Sequence, residues 1–478
     1  MSLGALDLTV LLAYFAAVVA VGLAFARRSD GTAADYMLGS KDTPWWVILA
    51  SIVATETSTV TFLSIPGFAY GRDLTWLQIA LGFVIGRFVV AHLLLPGYFQ
   101  GTLFTSYELL DRRFGVATGR TASILFLLTR TLADGLRLFL TALVVQEMTG
   151  LSLAVAIVAT GLVTMAYCYV GGLRAVLWTD FVQLIVYLGG AVAAGVVLIE
   201  RLPGGLPGLW RDAEAAGKLR IFDFGLDLAN PYGFWAGLLG GLFLTLGSHG
   251  VDQMTVQRFL AARNLHDARR ALTTSGFVVF AQFALFLVIG VGLWSFYQHF
   301  PPTVAFERPD RVFARFILDE LPVGLVGLLL GALFAAAMST LSSSLNSCAT
   351  VAARDFLRFP SPERELAATR WFTVAFAGAQ IAVALAGQNL ATSVVNAVLG
   401  IAGFSTGIVL GVFFLGRFVP RAGGREALIG ITCGFVGMTT IFFATDLAWP
   451  WYSLVGSLGT LGAGALGARL RKGSLRAA

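Results

Sequence analysis

The sequence predicts an all-α integral membrane protein of about thirteen spanning helices. Composition, segment length and the placement of basic residues together predict it. Of 478 residues, 57% are hydrophobic and 13% are charged, whereas a soluble domain carries roughly 25% charged residues. The 55 glycines suit helices that pack closely in a bilayer. Apolar stretches of about twenty residues, the length that crosses a hydrocarbon core, recur near 6–26, 45–70, 74–99, 119–147, 151–170, 176–200, 233–257, 271–297, 323–351, 366–387, 390–415, 426–446 and 449–468. Most of the 33 Lys and Arg residues fall in alternate loops, among them Arg112, Arg113, Arg258, Arg269, Arg270 and Arg469. The positive-inside rule then places the N-terminus outside and the C-terminus in the cytoplasm. The net charge of +6 therefore reports membrane orientation, and no nucleic-acid partner is expected. Cys168, Cys348 and Cys433 lie in separate apolar segments without metal spacing and read as small buried hydrophobes. The N-terminus lacks the pattern of a cleaved signal peptide, so the first apolar segment is expected to be retained.

In chain order, the second span is the first with an irregularity. Its apolar start gives way to Ala54-Thr55-Glu56-Thr57-Ser58-Thr59-Val60-Thr61, and hydroxyl side chains of this kind can satisfy backbone groups freed by local unwinding. Span 3 carries Gln78, a candidate cavity residue, and Arg87, expected to reach the interface or pair internally. Span 4 places Arg130, Asp134 and Arg137 on one stripe. Either a guanidinium there anchors a substrate carboxylate, or Asp134 neutralises both arginines. Asp180 opens span 6 after the run Gly171-Gly172-Leu173-Arg174. An ionised carboxylate inside a membrane is a candidate functional group by default, although pairing with Arg174 or capping the helix would also explain it. Span 7 is interrupted at Leu246-Gly247-Ser248-His249-Gly250-Val251-Asp252-Gln253, where His249 could donate to a solute. Span 8 contributes Gln282. Span 9 carries Ser339, Thr340, Ser342 and Ser343; the spacing of the three serines puts their hydroxyls on one helix face, suited to a hard cation or to interhelical hydrogen bonds. Phe404 follows the flexible Gly400–Gly403 segment of span 11 as a candidate outer gate. The interruptions of spans 2 and 7 lie five spans apart. Such a pair points to a transporter built from inverted repeats with its site at the midplane, here about 45–200 and 233–415 within one domain, 1–478.

The span 5–6 signature Gly171 to Gln183, the run Met338-Ser339-Thr340-Leu341-Ser342-Ser343 and Asp252-Gln253 with Val256-Gln257-Arg258 resemble the sodium/solute symporter family. The resemblance runs from span 1 to span 13. It implies the five-plus-five inverted-repeat, LeuT-like core with one extra N-terminal helix. It also implies a principal sodium site from the carbonyls of Ala54, Thr57 and Ala336 and the hydroxyls of Ser339 and Thr340. A second sodium, as in some members, would use Asp180, Ser339, Ser342 and Ser343. Candidate solute contacts are Glu56, Ser58, Thr61, Gln78, Thr245, Ser248, His249, Gln282 and Phe404. Ser248 stands where the galactose transporter carries its gating Tyr, which argues against a hexose. The expected activity is sodium-coupled symport of a small polar organic solute across the inner (plasma) membrane by alternating access, with a monomer sufficient. A proton-coupled symporter of the same fold, or a non-transporting solute sensor, are the alternatives. No Walker-type loop and no nucleophile–base pair point to a pump or an enzyme.

Overall fold

A computed structural model describes residues 4–27, 31–39, 41–302, 306, 308–389 and 394–477. The described secondary structure is helical apart from an isolated bridge between Thr43 and Ala262. The helices include α1 (Ala5–Ala26), α2 (Trp45–Glu56), α3 (Thr59–Gly71), α4 (Leu77–Val89), α5 (Val116–Thr149), α6 (Leu153–Arg201), α7 (Gly241–Gly250), α8 (Gln253–Leu260), α9 (Leu265–His299), α10 (Leu325–Phe356), α11 (Pro362–Ala386), α12 (Val394–Phe418), α13 (Gly424–Ala444) and α14 (Trp451–Ala477). Among the described residues, eight helical stretches are long and apolar enough to cross a membrane, and the bent pair at 45–71 adds a ninth. α5 falls short on hydropathy because Arg130, Asp134 and Arg137 lie within it. α7 and α8 fall short because the chain breaks between them.

Both expected interruptions are present. After Glu56 the backbone turns extended at Thr57 (ψ 102°) and Ser58 (ψ 169°), and the segments on either side cross at 59°. Ser58 restarts the helix as its N-cap, accepting the Thr61 amide at 3.4 Å. Thr57 braces the break: its hydroxyl bonds Val53 O at 2.9 Å and accepts from the Gln282 amide at 2.8 Å and from Tyr187 at 3.1 Å. In the second interruption, Val251 and Asp252 leave helical geometry, and Asp252 caps α8 through the Met254 amide at 2.9 Å. Spans 5 and 6 run on as α6, kinked at Gly172 (φ 55°). A Cβ there would lie 2.6 Å from the Tyr36 carbonyl, so both the left-handed backbone and the close approach require glycine.

α10 is buried along almost its whole length and packs against α6 and α2, the elements that carry the candidate polar residues. Toward one end of the bundle, Gln257 of α8 bonds Met37 O, Asn346 and Thr350. At the other end the 201–232 connection folds back over the helices. Lys218 caps the C-terminus of α3 through the carbonyls of Ala69, Tyr70 and Arg72 at 2.8–3.3 Å.

Candidate functional site

The break in α2–α3 frees carbonyls that a continuous helix would have used. α10 meets them with hydroxyls. Ser339 Oγ donates to Ala54 O at 2.9 Å and lies 3.2 Å from Ala336 O. Thr340 Oγ1 donates to Thr55 O at 3.0 Å and lies 3.3 Å from Ala336 O. All these residues are buried. The result is a knot of neutral oxygens shared by two helices, the donor set a hard monovalent cation prefers. Thr57 lies at the same break, with its side chain turned to Gln282 and Tyr187.

One turn further along α10, Asp180 is fully buried. It lies mid-helix in α6 and caps nothing, and Arg174 pairs with Asp42 at 3.0 Å instead. The partner of Asp180 is Arg258, whose Nη2 lies 3.3 Å from Oδ2. Ser51 and Thr55 donate to the same oxygen at 2.5 and 3.4 Å. Among the described residues, Asp180 Oδ1 is buried without a hydrogen-bond partner. Ser343 accepts from Arg258 and donates to Ser339 O at 2.6 Å. Ser342 turns back to Ser339 O at 3.3 Å. Arg258, Ser51 and Thr55 carried no signal that would assign them to Asp180, because the pairing depends on how α8 and α2 meet α6.

Above this level lies a cavity of about 460 Å³. It runs from Thr55, Glu56 and Thr340 to Arg72, Tyr232 and Trp449 at the loop-covered end. Of the expected solute contacts, Glu56, Ser58, Thr61, Thr245, Ser248 and His249 line it. The other three lie elsewhere. Gln78 ties the 201–232 connection to α4, bonding Tyr232 O at 2.8 Å and the Asp223 amide at 3.0 Å. Gln282 is spent on Thr57 and Tyr187. Phe404 packs edge-on against Phe435 with centroids 5.4 Å apart, while Thr406 and Ala402 of the same helix face the cavity. Spacing alone does not tell which face of a span turns inward when every face is apolar.

The charged groups at the base of the cavity are paired, whereas Arg72 at the loop-covered end lies over the rings of Phe68 and Tyr232. Arg87, fully buried, bonds Glu56 and lies 3.3 Å from His249 Nε2. On α5, Arg137 bonds Asp134. Arg130 is shared between Asp134 at 3.7 Å and Asp252 of the second break. Asp134 therefore does not neutralise the stripe alone: Asp252, a partner from another helix, takes half of it. Both Arg130 and Arg137 reach the cavity wall.

Two interrupted helices facing one cavity, with an oxygen cluster at the first break, define a secondary transporter. The model of the sodium:solute symporter family matches residues 36–434, and the chain belongs to that family. It is a sodium-coupled solute symporter of the membrane and not an enzyme. It is 30% identical to the sodium/sialic acid symporter SiaT of Proteus mirabilis, over 98% of this chain and 95% of the relative. It is 29% identical to sodium-coupled monocarboxylate transporter 2 of Danio rerio, over 90% of this chain and 70% of the relative. The solved substrate-bound, outward-open state of a Na+-coupled sialic acid symporter superposes with a TM-score of 0.91 at 28% identity, covering 98% of both chains. Mhp1, a nucleobase-cation-symport-1 transporter, shares the fold alone, with a TM-score of 0.56 at 14% identity.

Proposed function

We propose that this symporter carries an organic anion, and that the oxygens of Ala54, Thr57, Ala336, Ser339 and Thr340 form its principal sodium position. The observation that carries the sodium assignment is the pair of α10 hydroxyls lying on the Ala54 and Thr55 carbonyls at the break. An ion inserted there would replace hydrogen bonds between α2 and α10 with stronger ion–oxygen contacts, and so hold the two helices together. We assign a second sodium, at Asp180, Ser342 and Ser343, the weaker binding, because it would share its carboxylate with Arg258.

The anion assignment draws on Arg137 and Arg130 at the cavity wall and on the cargoes named for the relatives, sialic acid and monocarboxylates. A guanidinium presents paired donors to a carboxylate. Glu56, Ser58, Thr61, Thr245, Ser248 and His249 supply the polar remainder of the lining, against the aromatic wall of Phe68, Trp76 and Trp449.

In the cycle, external sodium joins α2 to α10 and completes the solute site. Solute then draws the loop-covered end closed. Inward opening parts α2 from α10 and releases both cargoes. We further propose thirteen spans, with repeats at 45–200 and 233–415 after an extra first helix, an external N-terminus, a cytoplasmic C-terminus, and a monomer as the transporting unit. The matching breaks in α2–α3 and α7–α8 support the repeats.

The test is thermal stabilisation of the purified protein by lactate, N-acetylneuraminate, glucose and proline, each in sodium chloride and in choline chloride. Stabilisation by a carboxylate is expected in sodium alone, and Arg137→Gln abolishes it. Equal stabilisation in choline would refute the coupling. A response to glucose alone would refute the anion.

A further inference from the structure

Resting on the reading of the cavity as the solute site, we infer that Ser248 is a fixed hydrogen-bond donor to the solute. Its proton is aimed by a relay that runs from Arg87 through His249. The argument is one of donor and acceptor bookkeeping. An arginine side chain has donors and no acceptor. His249 Nε2 lies 3.3 Å from Arg87 Nη2 and 3.7 Å from Glu56 Oε2; the carboxylate is beyond hydrogen-bond reach, so that nitrogen accepts from Arg87 and carries no proton. The neutral ring then holds its hydrogen on Nδ1, 2.9 Å from Ser248 Oγ. Nδ1–H donates to the serine oxygen, and the hydroxyl hydrogen of Ser248 is left to point away from the ring.

The relay is anchored at its far end. Arg87 and His249 are buried, and Arg87 is held by Glu56. Gly276 leaves room for its stem, since a Cβ there would lie 3.2 Å from Arg87 Cδ. Ser248 itself lines the cavity beside Glu56 and Thr245. Thr340, another hydroxyl of the lining, donates its hydrogen to Thr55 O. Ser248 has no such commitment in its donor. The subsite it forms accepts an oxygen with a lone pair and disfavours an ammonium or an N–H at the same place. Arg87 and His249 are positioning residues, and Ser248 makes the contact.

Two measurements decide this, both on the full chain. First, nitrogen NMR of protein labelled with 15N-histidine, with His249 assigned by its loss in His249→Gln, reads the tautomer. The relay requires a neutral ring protonated at Nδ1; a ring protonated at Nε2, or at both nitrogens, overturns it. Second, lactate and N-acetylneuraminate serve as probes in sodium-containing proteoliposomes. Ser248→Ala and His249→Leu each raise the half-saturating probe concentration tenfold or more and leave half-saturating sodium within twofold. His249→Gln retains the affinity of the unchanged protein, because its amide oxygen accepts from Arg87 and its amide nitrogen donates to Ser248. His249→Gln as damaging as His249→Leu overturns the relay. If neither probe binds, the anion assignment fails, and the tautomer alone decides the relay.

Discussion

Ser339→Ala removes one of the two hydroxyls assigned to the principal sodium and little else. Ser339 Oγ contacts Ala54 O at 2.9 Å and Ala336 O at 3.2 Å, so the folded protein loses one interhelical hydrogen bond, worth about 0.6 kcal/mol in a membrane. The fold therefore survives. The cost to an ion is larger. A contact between a polar group and a charge contributes about 1.5–3 kcal/mol, which corresponds to roughly a 10- to 150-fold rise in half-saturating sodium at about 1.4 kcal/mol per tenfold. Ser347→Ala is the control: it is equally buried on the same helix, but its hydroxyl bonds Ser344 O of its own helix, at 3.0 Å. The assay is solute uptake into proteoliposomes at zero membrane potential across a sodium series, with thermal stabilisation by sodium as a second readout. A half-saturating sodium concentration within twofold of the unchanged protein, or an equal rise in Ser347→Ala, would refute the assignment.

Two further outcomes follow from burial and packing. Glu56→Gln leaves the fully buried Arg87 without its carboxylate, and among the described residues Arg87 Nε and Nη1 already lack hydrogen-bond partners; the cost is about 3–5 kcal/mol. Arg87→Met costs less, because Glu56 is 22% exposed to the cavity and water can replace the guanidinium. Unfolding temperature in detergent should therefore fall furthest in Glu56→Gln, and the reverse order would show that the pair is hydrated differently. Gly82→Ala places a Cβ 2.5 Å from Leu238 O and 2.8 Å from Gly237 O, whereas a Cβ at Gly189 meets nothing within 4 Å. Overpacking of this kind costs about 1–3 kcal/mol, so Gly82→Ala should melt early and Gly189→Ala should melt like the unchanged protein.

The breaks were legible in the sequence because they are written in local chemistry. Hydroxyl residues at Thr55 to Thr61 and the glycines flanking Ser248 and His249 fail to continue an apolar helix, and the chain does unwind next to each. The serine face of span 9 was legible for the same reason, since helical spacing fixes which side chains share a face. The partners were not. Arg258 and Asp180 are 78 residues apart, Glu56 and Arg87 sit on different spans, and Asp252 reaches Arg130 across the bundle. Each pairing depends on rotations of helices that are apolar on every side, so no periodicity encodes it. Gln78 and Gln282 show the same limit from the other direction. A buried glutamine in a span looks like a cavity residue, yet both are used as braces: Gln78 holds the backbone of a long connection, and Gln282 holds the side chains of Thr57 and Tyr187 at the break.

The charges around the cavity bear on how coupling arises. Arg87 is balanced by Glu56, Arg258 by Asp180, and Arg130 with Arg137 by Asp134 and Asp252. The floor is therefore neutral before any cargo arrives. A lone cation at the Ala54 break or a lone carboxylate at Arg137 each adds an uncompensated charge to a low-dielectric interior, which is costly. Together they offset one another, so each raises the affinity of the other without a separate signalling element, and the effect is reciprocal. The same arithmetic fixes what voltage can do. One sodium with one monoanion moves no net charge, and accumulation then follows the sodium gradient alone. A second sodium at Asp180 adds one positive charge per cycle, worth about 2.3 kcal/mol at 100 mV. A solute-evoked current thus counts the ions: its absence with a monoanionic solute means that Arg258 keeps Asp180 to itself, and one charge per solute means that a second sodium shares that carboxylate.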